Sequence, residues 1–203
     1  MIAAIVLAAG AARRMQEPKQ LLPLAGRPLV WHAAAAACRS AADDVVVVTG
    51  ARREEVAEAV ADLPVRPVFN RDWRLGQAGS LRAGLAAVRP GTRAVVFLLA
   101  DQPLVTTALL DSLIDAYRAG GGTIAVPTAG GRRGTPVLFA LARWRQGLMA
   151  LAGDTGAREL LVAHPDEVIS VPVPDERVFL DVDTPADYEE IVRVYETINA
   201  GGT

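Results

Sequence analysis

With a single cysteine, Cys38, the 203-residue chain can form no intrachain disulfide and no thiolate metal site. Cys38 closes an alanine-rich run and reads as a small buried hydrophobe. Aromatic residues are only 5% of the chain, so its core has to be built mostly from Ala, Val and Leu. The two histidines, His32 and His164, stand apart, and no Ser/His/Asp pattern or metal-spaced histidine pair is present. A formal net charge of -2 supplies no global positive field, which argues against nucleic acid and anionic membrane as partners. No window approaches ~18–20 uninterrupted apolar residues, so no membrane span is expected. The first ten residues lack the basic flank of a secretory signal, and a cytoplasmic location is expected. Neither a Walker A loop nor a G-x-G-x-x-G fingerprint occurs.

What is present is regular alternation. Short apolar runs at 2–7, 45–48, 65–69, 94–99 and 123–126 read as buried strands. Helical stretches at 28–39, 52–61, 81–88 and 106–118 separate them. Pro28 suits a first helical turn, and Thr106 suits an N-cap. The alternation predicts an α/β fold: a single three-layer, Rossmann-like domain over 1–203 with a mostly parallel central sheet and right-handed crossovers. Beyond residue 127 the pattern loosens. A flexible basic loop is expected at 127–136, short strands at 137–139, 168–172 and 178–180, and a helix from about 153 to 163. A closing helix over 185–198 is expected to be capped by Thr184 or Asp183. Residues 128–180 read as an elaboration over the sheet rim.

Ligands of such sheets bind at the carboxyl ends of the strands. That rule gathers stretches that are distant in sequence, the polar, glycine-bearing loop 70–80 among them, and three others carry candidate chemistry. The first, Leu7-Ala8-Ala9-Gly10 through Arg14 to Lys19, combines small residues with basic ones. Backbone amides there can hold phosphate oxygens, with Arg14 as a fork and Lys19 as a point charge. The competing reading is a small-residue turn with solvated basic side chains. The second stretch carries Asp101 out of the fourth strand, where a hard carboxylate suits Mg²⁺ held together with substrate phosphates. A turn or capping aspartate is the alternative. The third contains Asp181 and Asp183. Asp181 is the better second metal ligand, and Asp183 is the better structural residue because the helix at Pro185 can claim it as a cap. A purely structural role for both competes with this.

Several motifs together resemble one known family. They are Leu7-Ala8-Ala9-Gly10, Arg14-Met15, Lys19-Gln20-Leu21-Leu22 and Gly26-Arg27-Pro28-Leu29, with Ala100-Asp101-Gln102-Pro103 and Asp181-Val182-Asp183-Thr184-Pro185. The set is similar to the MobA-like NTP transferases of glycosyltransferase-A-like fold. Gly79-Ser80-Leu81-Arg82, Arg133-Gly134-Thr135-Pro136 and Gly153-Asp154-Thr155-Gly156 resemble the molybdenum cofactor cytidylyltransferases within it. The resemblance implies transfer of CMP from CTP to molybdopterin with release of pyrophosphate. It implies catalytic roles for Arg14, Lys19 and Asp101. Leu7, Ala8, Ala9, Gly10, Gly79 and Ser80 would complete the nucleotide site, and Mg²⁺ would sit on Asp101 and Asp181. Arg133, Gly134, Thr135 and Asp154 would meet the second substrate. A molybdenum hydroxylase awaiting its cofactor would be a transient partner. Position 135, often Asn or His in the cytidylyl group, is Thr here, and positions 12 and 16 depart from the usual Ser and Gly. Three alternatives stay open: another phosphorylated acceptor (sugar phosphate, phospholactate or methylerythritol phosphate), a dinucleotide-binding redox module, or a cofactor-delivery module on the same fold.

Overall fold

The apolar run of β1 (Ile2–Ala8) becomes an interior strand of a mixed sheet, buried on both faces. The computed structural model describes residues 1–11, 17–154 and 156–200. After β1 the chain forms a small hairpin, β2 (Pro23–Leu24) and β3 (Arg27–Pro28), and enters α1 (Leu29–Arg39). Pro28 is the extended residue just before that helix. Then come β4 (Asp44–Thr49), α2 (Arg53–Ala59), β5 (Arg66–Phe69), α3 (Gln77–Ala87) and β6 (Ala94–Leu99). The helix α4 (Thr107–Ala119) begins at Thr106, whose hydroxyl accepts from the Leu109 amide as an N-cap should.

The second half holds β7 (Ile124–Ala129), β8 (Arg132–Arg133), β9 (Val137–Ala140), α5 (Leu141–Ala150), α6 (Arg158–Ala163), β10 (Val168–Pro172) and α7 (Pro185–Ala200). The strand order is β10-β7-β9-β6-β1-β4-β5, with β8 on β7. Pairing is parallel except at β8 and β9, and β9 runs antiparallel between β6 and β7.

Alternate residues of the strands feed two cores, as a period of two requires. Ile2, Ala4, Val6 and Ala8 meet α1 and α4 on one face, whereas Ala3 and Ile5 meet α3 and α5 on the other. The alanines 33–37 of α1 are buried, and their small side chains let the helix lie close to the sheet. A third cluster joins Leu22, Leu24, Leu29, Leu104, Val182 and Ile191, fastening α7 beside the hairpin. The result is the three-layer α/β domain that the alternation predicts.

Five expectations change, the first at α6, which starts at Arg158 rather than near 153. The helix α3 starts at Gln77 rather than 81, so Gly79 and Ser80 lie inside its first turn. The basic loop at 127–136 contains the β7–β8 hairpin, turned by Gly130 and Gly131 at φ 54° and 77°. The stretch 178–180 is the end of a 3₁₀ turn, Glu176–Phe179, with Leu180 just after it, and not a strand. The helix α5 has no counterpart in the sequence reading; its buried face of Leu141, Trp144 and Leu148 is the signal that would have shown it.

Candidate functional site

The parallel strands β1 and β6 end side by side, with Leu7 beside Leu99. Their carboxyl ends open into a cleft of about 420 Å³, a size suited to a small ligand. Leu7, Ala8, Ala9 and Gly10 form one wall of the cleft, and Leu99, Ala100 and Asp101 continue it. Lys19 and Gln20 enter from the next turn, while Trp73, Arg74, Gly76, Gln77 and Ser80 close the other side. The Gln20 amide donates to the Gly10 carbonyl at 3.0 Å and so ties the first loop to the turn bearing Lys19. Arg74 stacks over the Trp73 indole at 4.2 Å, giving that wall a flat cationic surface.

At the floor sits a charge cluster. Lys19 Nζ lies 2.5 Å from Asp101 Oδ2 and 2.7 Å from Asp183 Oδ1. Burial by itself would lower the Lys19 pKa, but Asp101 and then Asp183 outweigh it, and the pKa is raised. Lys19 is therefore a firmly charged ammonium. The carboxylate of Asp181 reaches solvent, yet crowding removes part of its hydration. That loss, with the Asp101 and Asp183 charges, raises its pKa. The cluster joins one ammonium to three aspartates, and a further cation would be welcome there.

Asp101 supplies a place for one. Its Oδ1 atom is buried and has no hydrogen-bond partner, an expensive state for a carboxylate oxygen. Among the described residues no group of three or more His, Cys, Asp or Glu forms a metal cage. That suits a hard cation held by one or two carboxylates, with substrate oxygens and water completing the shell. The donor set fits Mg²⁺ or Mn²⁺.

Of the residues singled out in the sequence, Leu7, Ala8, Ala9, Gly10, Lys19, Ser80 and Asp101 come together in the cleft. Arg14 lies outside the described residues. Gly79 is buried on α3 and does not line the cleft; a Cβ there would stand 3.4 Å from Asn70 Nδ2 and Asp72 O. Ser80 Oγ accepts from Asn70 Nδ2 at 3.1 Å.

Asp154 lines the same cleft, apart from Arg133, Gly134 and Thr135 with which the sequence grouped it. Its loop is pressed on the start of α3, where Ala78 N donates to Gly153 O at 3.1 Å. Arg133 is exposed on β8, and Thr135 donates its hydroxyl to Gln102 Oε1.

Asp183 is not the helix cap. Thr184 Oγ1 accepts from Asp187 N, and Asp187 Oδ2 accepts from the amides of Asp183 and Thr184, a reciprocal box that leaves the Asp183 side chain for Lys19. Trp73, Arg74 and Gln77 belong to the loop 70–80 that the sequence places on the rim, without being singled out there. They follow the end of β5, so the carboxyl-end rule reaches their loop but cannot select side chains within it.

Comparison with known proteins adds a family. The MobA-like NTP transferase domain matches residues 4–168. Nicotine blue oxidoreductase of Paenarthrobacter nicotinovorans is 33% identical over 189 residues, covering 90% of this chain and 92% of that protein. The bifunctional protein GlmU of Clavibacter sepedonicus is 38% identical over 132 residues; the match takes in 63% of this chain and 27% of GlmU's length. Among solved structures, a nucleotidyl transferase from Methanothermobacter thermautotroptrophicus superposes with a TM-score of 0.86 at 26% identity, covering 98% of this chain and 99% of that one. Rv0371C of Mycobacterium tuberculosis H37Rv, solved as a complex with manganese, superposes at 0.81 with 32% identity, covering 95% and 98%.

Proposed function

Because the chain belongs to the MobA-like NTP transferase family, we propose that it transfers CMP from CTP to the terminal phosphate of molybdopterin, releasing pyrophosphate. The observation that carries nucleotidyl transfer is the floor of the cleft, where Lys19, Asp101 and Asp183 converge below the small residues Ala8, Ala9 and Gly10. The choice of CTP and molybdopterin is supported by the resemblance of Gly79-Ser80-Leu81-Arg82, Arg133-Gly134-Thr135-Pro136 and Gly153-Asp154-Thr155-Gly156 to the cytidylyltransferases. A molybdenum hydroxylase receiving the product is part of the same proposal.

In this reaction an acceptor phosphate oxygen bonds to the α-phosphorus of CTP. The bond from that phosphorus to the bridging oxygen breaks, and pyrophosphate leaves with the electron pair. No protein nucleophile is needed; positioning and charge stabilisation suffice. The backbone at Ala8–Gly10 lets the nucleotide approach closely. Lys19 supplies a fixed positive charge against the triphosphate and the departing pyrophosphate, and Arg14 is assigned the same task. Trp73 and Arg74 offer a stacking surface for a base. Asp101, with Asp181 or Asp183, would hold Mg²⁺, which when bound supplies charge neutralisation at the phosphates. The manganese complex of Rv0371C supports a divalent ion in this family.

A second reading has its own observation. The relative named nicotine blue oxidoreductase matches nearly the whole chain, which favours a redox module using the cleft for a dinucleotide. A pyrophosphate assay separates the two. The protein is incubated with each NTP, Mg²⁺ and molybdopterin, then with a sugar phosphate, phospholactate and methylerythritol phosphate. Release that requires CTP and molybdopterin supports the proposal. Release with a different acceptor moves the assignment within the transferases, and no release with any NTP, with NADPH oxidised by an added dye, favours the redox module.

A further inference from the structure

Gln102 follows Asp101 and is 5% exposed, but unlike Asp101 it does not line the cleft. Both ends of its amide are used. Phe179 O can only accept, so the contact at 3.2 Å must come from Nε2; Oε1 then faces Thr135, whose hydroxyl must donate. Two segments distant in sequence are thereby joined through one side chain. One is the hairpin of buried β7 and exposed β8 leading to Gly134 and Thr135. The other is the turn at Phe179 that leads into Asp181 and Asp183.

Two further contacts stiffen the joint. The Phe179 ring lies directly against Gly134, where a Cβ would stand 2.4 Å from a ring carbon. The Val182 amide donates to the Asp101 carbonyl at 3.1 Å, and its side chain is fully buried between Leu22, Leu24, Leu29 and Ile191. The acidic turn is therefore held from one side by the core and from the other by Gln102 and Gly134. Asp181 and Asp183 flank the fixed Val182 and inherit its position.

We propose that Gln102 is a positioning residue that holds the Asp181–Asp183 turn in register with Asp101 and makes that register depend on the hairpin ending at Thr135. The proposal rests on reading the Asp101 and Asp183 end of the cleft as the reacting end. Displacing the hairpin, as an acceptor seated on it would, loads the Thr135 hydrogen bond and the Phe179 contact together. The carboxylates then move or settle without being touched by the acceptor.

The test uses the full chain with Thr135→Val, Thr135→Ser and Gln102→Glu. Thr135→Val keeps the shape and removes the donor; Thr135→Ser keeps the donor. Gln102→Glu replaces the amide donor with a carboxylate that faces Phe179 O without a proton to offer. Amide hydrogen exchange of residues 176–184 is read beside the melting temperature, and kcat and KM for CTP are read with Mg²⁺ and molybdopterin. We expect Thr135→Val and Gln102→Glu to speed exchange at Val182 and Asp183 by about fivefold or more at nearly unchanged melting temperature. We expect Thr135→Ser, which keeps the donor, to exchange over 176–184 as the parent protein does, and kcat to fall about tenfold in the first two with a similar KM. Unchanged exchange over 176–184 in both Thr135→Val and Gln102→Glu overturns the proposal. So does unchanged kcat accompanying faster exchange. If the parent protein releases no pyrophosphate, the transferase reading fails, and the exchange measurement still decides whether Gln102 holds the turn.

Discussion

Lys19 and Asp101 meet at 2.5 Å beneath the cleft, one from the turn after the first loop and the other from the end of β6. The pair converts a basic loop and an isolated carboxylate into one electrostatic unit, with Asp183 as its third member.

Asp101→Ala should reduce pyrophosphate release by at least ~100-fold, the scale of losing a principal charge-stabilising group. The fold should survive, because the substitution removes a buried oxygen that has no hydrogen-bond partner. Far-UV circular dichroism checks the fold. Chelation with EDTA should mimic the substitution, and added Mg²⁺ or Mn²⁺ should restore turnover; activity that resists EDTA would remove the metal from the reaction.

Lys19→Met should weaken CTP binding and also destabilise the protein. Its folded pKa is raised above the ordinary 10.5, so its stabilisation is fully present below that value and is lost only as pH rises through the folded pKa. The loss should therefore appear across the whole neutral range, at about 1–3 kcal/mol for a partly buried charge left without its partner. A urea midpoint equal to that of the parent protein at pH 7 would show that the ion pairs add nothing to stability.

Asp181→Asn should stabilise the protein at pH 7. The folded state raises the Asp181 pKa above the ordinary 3.8, so the charged form is the costly one once pH exceeds the folded pKa. Asparagine removes that cost. The gain in melting temperature should shrink as pH falls through the folded pKa and vanish below 3.8, where the carboxyl is protonated in both states. A gain independent of pH would point to a packing effect instead.

Gly76→Ala should disturb the lip of the cleft. Gly76 has φ 101°, and a Cβ there would stand 2.3 Å from Gly153 O and 2.7 Å from Asp154 Oδ1. The strain should cost about 1–3 kcal/mol, and displacement of Asp154 and Trp73 should raise the CTP dissociation constant. Tryptophan fluorescence during a CTP titration reads the second effect.

Much of the architecture is legible without coordinates. The runs at 2–7, 45–48 and 94–99 are apolar on both faces, and only a strand covered by helices on either side can bury them so. Their alternation with helices dictates crossover connections. The strand-end rule then assembles Leu7 to Lys19 with Asp101 before any distance is known. Thr106 announces its cap through side-chain chemistry alone.

Other features needed the tertiary structure. The residues of β9 are buried whichever way the strand runs, so their periodicity carries no sign of an antiparallel place between β6 and β7. On paper Asp183 is the residue that the helix at Pro185 can claim as a cap; in the fold Thr184 and Asp187 make the capping box, and Asp183 pairs with Lys19. Asp154 joins the cleft because its loop abuts α3, a contact between segments whose sequences do not mention each other. Sequence by itself determined the order of elements and the kinds of side chain delivered to one rim, because both follow from local periodicity and chain direction. Which carboxylate pairs with Lys19, and which loop leans on which, was decided only by packing, because those pairings depend on distances that local periodicity does not encode.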